Sequence, residues 1–170
     1  MEYTQQVILL IVLAIVAAID IKQRKIPNFI TFPLMIAGVC FSFIQGSYIG
    51  AGFSLLGIVL AFLLFFLPYA FGTLGAGDVK LMMGIGSWIG SSMIVFNGIT
   101  VMIVGGVLAS LSLAIKVHPT YPIKLIKGLF FAIILKDLEN FLKGVKEHST
   151  DSIPYGVAIF IGTVITTWLY

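Results

Sequence analysis

The chain has 170 residues, 59% of them hydrophobic and 10% charged, with a formal net charge of +3 and a mean hydropathy of +1.12. This composition excludes an ordinary soluble domain, and the single cysteine, Cys40, excludes an intramolecular disulfide or multi-cysteine metal centre and reads as a small buried hydrophobe. The positive charge does not point to nucleic acid, because the basic residues flank apolar runs, where membrane orientation accounts for them.

The first apolar run covers about 4–20. It starts behind Glu2 and ends in Asp20, followed by Lys22, Arg24 and Lys25, which reverses the charge order of a cleavable secretory leader. It therefore reads as a membrane-spanning helix, and Pro27 blocks its continuation. Further apolar runs at about 29–45, 50–71, 78–91, 93–115 and 152–169 bring the expected spans to about six. The fourth is short and contains Gly84, Gly86 and Gly90, small residues suited to close, tilted packing; Gly46 and Gly50 read likewise as contact positions. The fold class expected is all-α, a polytopic membrane protein in one domain, 1–170, with both termini outside and a long cytoplasmic loop, 116–151. In that orientation all ten Lys and Arg residues lie inside, at 22–25, at Lys80 and in the long loop.

Within that loop, Ile123, Ile126, Phe130, Ile134, Leu138 and Phe141 recur at helical spacing among lysines, the pattern of an amphipathic helix lying on anionic lipid. His118 and His148, in the same loop, read as solvated or interfacial. Trp88, Trp168 and Tyr170 read as outer-interface anchors.

Of the seven acidic residues, five lie in a terminus or the long loop, whereas Asp20 and Asp78 stand at the inner ends of apolar spans. A carboxylate there is costly unless it meets a partner or water, so both are candidate functional residues; the bland alternative is that they mark the membrane edge beside Lys22 and Lys80. The expected topology puts both acids at one face. Two close carboxylates share a proton more readily than both ionise, and such a pair can activate water while polarising a peptide carbonyl, which is aspartic-protease chemistry. It calls for no cofactor and no metal. A helix N-terminus favours a charged carboxylate and a C-terminus disfavours it, so Asp78 suits the water-activating role and Asp20 the proton-donating one. Gly75 and Gly77, just ahead of Asp78, permit close backbone approach.

Three stretches together, Asp20-Ile21-Lys22-Gln23-Arg24-Lys25-Ile26-Pro27-Asn28, Gly75-Ala76-Gly77-Asp78-Val79-Lys80-Leu81 and Ile153-Pro154-Tyr155-Gly156-Val157-Ala158, resemble the signature segments of the type IV prepilin peptidases. These are GxGD-type membrane aspartic proteases, distantly similar to preflagellin peptidases and presenilins. The resemblance implies catalytic roles for Asp20 and Asp78. It also implies site-shaping or substrate-binding roles for Gly75, Gly77, Lys80, Pro27, Asn28, Pro154, Tyr155 and Gly156. It implies a pilin-like precursor as substrate, cut after a short basic leader at the cytoplasmic face of the cell membrane. With Asp20 so near Met1 and no paired cysteines, the chain resembles the short, peptidase-only form of tight-adherence (Flp-type) pilus systems, and no N-methyltransferase activity is expected. Action alone and action as a homodimer both fit. The residues by themselves also admit a small proton-coupled transporter subunit, although a proton relay would place acids nearer mid-membrane.

Overall fold

The structure, a computed structural model, describes residues 3–116 and 154–169; the expected loop helix, His118 and His148 lie outside the described residues. Every regular element described is helical: α1, Tyr3–Gln23; α2, Asn28–Ala70; α3, Ala76–Lys116; and α4, Tyr155–Leu169. Residues 3–105 and 154–169 belong to one compact unit, while 106–116 continue α3 into a second. The first three helices are each long and apolar enough to cross a membrane, and α4 is a shorter apolar helix.

The local sequence explains where the helices stop. Past Gln23 the backbone turns left-handed at Arg24 (φ 52°), whose N–H closes on the Asp20 carbonyl at 2.8 Å. Pro27, in an extended conformation, then starts α2 by offering its carbonyl to the Ile30 N–H at 3.1 Å. At the other end of α2, Gly72 takes φ 72°, and the Thr73 N–H and hydroxyl both donate to the Pro68 carbonyl, at 3.0 and 2.8 Å.

Both long helices fold back on themselves. α2 breaks at Ser47 (φ 54°, ψ −146°). Gly38 before the break lies against Ser87, and Gly57 after it lies against Gly86. In a straight helix those two glycines would stand about 28 Å apart, at 1.5 Å per residue, so the chain must reverse between them. α3 breaks at Gly90 (φ 73°, ψ −179°), a conformation that side-chain-bearing residues rarely adopt. Before Gly90, α3 runs antiparallel to the second arm of α2, with Gly86 at Gly57 and Gly90 at Phe53. After it, Gly98 sits at Leu64 and Phe65, so the direction has reversed. The first break falls within the expected turn between 45 and 50. The second, at Gly90, falls at the start of the expected turn around 90–92.

The interior is apolar, with Leu9, Leu13, Phe65, Leu81, Met82, Ile85, Ile94, Val101 and Ile159 almost fully buried. The outside is apolar too: α1 buries Leu9, Leu13, Val16 and Ala17 on one face and exposes Ile8, Ile11 and Ile15 on the other. A helix apolar all round belongs in lipid. Three expectations change here. Trp88 is buried (7% exposed), with its indole N–H donating to the Leu34 carbonyl at 2.9 Å, so it locks two helices together instead of anchoring at the outer interface. Cys40 is exposed on the helix surface instead of buried. Nothing lies near the position a Gly46 side chain would occupy, so that glycine makes no helix contact.

Candidate active site

Asp20 ends the buried stripe of α1, at 5% exposure. Its carboxylate reaches the start of α4, where Oδ2 accepts the Gly156 N–H at 2.7 Å. Pro154 precedes that helix, and its carbonyl accepts the Val157 N–H at 3.2 Å, so the first turn of α4 is formed where it meets Asp20. The approach demands glycine: a side-chain carbon at position 156 would lie 2.9 Å from Asp20 Oδ2 and 3.1 Å from its Cβ.

Asp78 lies in the first turn of α3. Its Oδ2 accepts the Gly75 N–H at 2.9 Å, while its own N–H donates to the Gly75 carbonyl at 3.1 Å. This is one half of a capping box, the acid at the third helical position reaching back to the N–H of the cap residue, while glycine at the cap offers no side chain for the other half. Each backbone bond uses one oxygen of its carboxylate and leaves the other for a water or a shared proton. Asp78 lies within electrostatic reach of Asp20 and of Tyr155. Consecutive residues of α4 are thus linked to the two acids, Gly156 by its hydrogen bond to Asp20 and Tyr155 by the electrostatic influence of Asp78.

Helix dipoles do not divide the acids as expected. Asp20 stands at the C-terminus of α1 but also on the N-terminal amides of α4, so both carboxylates face a helix N-terminus. Considering only the helix that carries each residue omitted the helix packed against it.

The remaining expected site residues meet in pairs. Gly77 accommodates Ile26, whose Cβ and carbonyl oxygen would lie 3.0 and 3.3 Å from a side-chain carbon at position 77. Lys80 Nζ donates to Asn28 Oδ1 at 3.0 Å and sits 5.4 Å from the centre of the Phe32 ring. Pro27 lies between Ile26 and Asn28 and fixes their relative positions. Among the described residues no group of His, Cys, Asp or Glu is arranged to hold a metal ion.

One residue beside the site was not singled out from the sequence. Gly105 gives the Tyr155 ring its place, since a side-chain carbon there would lie 2.6 Å from the Tyr155 hydroxyl oxygen. The available signal was the Gly105-Gly106 pair inside the fifth apolar run.

Comparison with known proteins gives a consistent family. The model of the type IV leader peptidase family matches residues 7–135. The preflagellin peptidase of Methanocaldococcus jannaschii is 29% identical over 158 residues, covering 88% of this chain and 62% of that protein. A prepilin leader peptidase/N-methyltransferase of Klebsiella pneumoniae is 34% identical over 90 residues, covering 49% of this chain and 39% of that protein. The chain thus spans less than two thirds of the length of either relative. No solved structure matches it.

Proposed function

This chain belongs to the type IV leader peptidase family, and from that premise we propose that it is an aspartic endopeptidase that removes the short basic leader of a pilin-like precursor. Asp20 and Asp78 form its catalytic pair. The observation that carries the reading is their placement: two acids from distant parts of the chain, each tied through Oδ2 to a backbone amide, within electrostatic reach of one another.

In the proposed reaction one aspartate, as carboxylate, takes a proton from a water whose oxygen attacks the scissile carbonyl carbon. The other, as carboxylic acid, donates its proton to the carbonyl oxygen. The tetrahedral intermediate collapses as the C–N bond breaks. The proton held by the first aspartate passes to the leaving nitrogen, and the second regains its own from a hydroxyl of the intermediate, whose oxygen stays on carbon as the new carbonyl.

The wider setting follows the charge pattern. Six spans, with α2 and α3 each crossing twice around their breaks, place both termini outside and the acids at the cytoplasmic face, where the positive residues gather. A Flp-type precursor is the proposed substrate, and the proposal extends to leader cleavage alone. The test is co-expression with a Flp-type precursor, followed by mass measurement of the precursor's new amino terminus. A product lacking only the basic leader supports the reading. A precursor that stays whole at matched expression contradicts it.

A further inference from the structure

We infer that Lys80 is a positioning residue for leader cleavage, acting with Asn28 as a clamp that fixes Asp20 against Asp78. The inference rests on the peptidase reading above, and deepens it.

Lys80 follows Asp78 by two residues, which on an α-helix turns it about 200° away, at 100° per residue. It therefore faces away from the reacting side of Asp78 and towards the connection between α1 and α2. There its ammonium has a two-point seat. Asn28 Oδ1 accepts a hydrogen bond from it at 3.0 Å, and the Phe32 ring centre lies 5.4 Å away. Asn28 and Phe32 are four residues apart in α2 and so share one helix face. A charge-assisted hydrogen bond together with a cation–π contact is more than a lysine needs merely to reach the interface.

The same connection is held a second time, two residues earlier. Ile26 packs on Gly77, leaving no room for a side chain there. Pro27 stiffens the backbone between the two contacts, with φ −75° and ψ 136°. The segment 26–28 is thus fixed to the first two turns of α3 at both its ends. It begins six residues after Asp20, and the turn of α3 that it grips carries Asp78. Releasing Asn28 would let the end of α1 shift relative to α3, and with it one carboxylate relative to the other. Binding the leader directly suits Lys80 poorly, because a basic leader repels a lysine.

The test compares Lys80→Met, which keeps the apolar stem, with Asn28→Ala, the double variant, and Asn28→Asp, which keeps the acceptor. In steady-state cleavage by purified protein, each single variant should lower kcat on the order of a hundredfold, the cost of an ångström-scale misplacement, with KM within about twofold. The double variant should be no worse than the poorer single one, and Asn28→Asp should restore cleavage to near the wild-type rate. A rise in KM confined to Lys80→Met would make the lysine a leader contact, and wild-type kcat in both single variants would make it a surface residue; either overturns the clamp. Hydrogen exchange gives a readout independent of cleavage: amides of 26–31, including Ile30 bonded to Pro27, should exchange several-fold faster in Lys80→Met. Unchanged exchange there overturns the clamp even if wild type fails to cut, a failure that would count against the peptidase reading itself.

Discussion

Glycine serves two different ends in two regions of this molecule. Along the seam between α2 and α3, Gly57 and Gly86 bring two backbones into contact, and a side-chain carbon on either would collide with the other's carbonyl oxygen. Ser54 beside them donates to the Ser87 carbonyl at 2.6 Å, and Ser87 to that of Gly84 at 2.6 Å, so the polar groups of the seam are satisfied within it. At the carboxylate end, Gly156 and Gly75 face the side chains of Asp20 and Asp78 instead. Backbone in a packed seam cannot retreat, whereas a carboxylate can, but only by leaving its place. Filling the seam should therefore cost stability, and filling the carboxylate end should cost activity.

The sharpest separation comes from Gly57→Ala, which forces two helices apart. It should destabilise the protein by about 3 kcal/mol, the upper part of the overpacking range, and thermal unfolding in detergent measures it. Gly156→Ala should lower kcat/KM on the order of a hundredfold by displacing the Asp20 carboxylate, and shift the unfolding midpoint little. If it unfolds the protein as Gly57→Ala does, the two regions are not distinct in this way. Gly75→Ala is milder, since the added carbon would lie 3.2 Å from Asp78 Oδ2 and asks for a shift of only tenths of an ångström. A fall of about tenfold in kcat/KM is expected, equivalent to about 1.4 kcal/mol in the barrier. The smallest effect belongs to Trp88→Phe, which removes the hydrogen bond to Leu34 and should cost about 1 kcal/mol of stability while leaving cleavage unchanged.

The same contrast explains what the sequence made legible. Asp20 and Asp78 stood out because a charge within an apolar run is costly wherever the run folds, and Pro27 marked a helix end, and the glycines before Asp78 a place of close backbone approach, for equally local reasons. The hydrogen bond from Gly156 to Asp20 joins residues 136 positions apart, and no local rule reaches that far. The dipole reasoning about Asp20 failed for this cause: the amides that matter to it belong to another helix. Trp88 was misread because aromatic residues near a span end suit the interface and the core equally, and only the Leu34 carbonyl decides between them. Gly105 passed unnoticed because its importance lies in the ring of Tyr155, which arrives from the last helix.

The most direct measurement compares wild type, Asp20→Asn and Asp78→Asn in cleaving one precursor, at equal membrane levels and with matched unfolding curves. Asparagine keeps the shape of each side chain and its acceptor for the backbone amide, but cannot exchange the catalytic proton. Cleavage should be lost in both variants while the fold persists. Substantial cleavage by either one would contradict the pairing of Asp20 with Asp78.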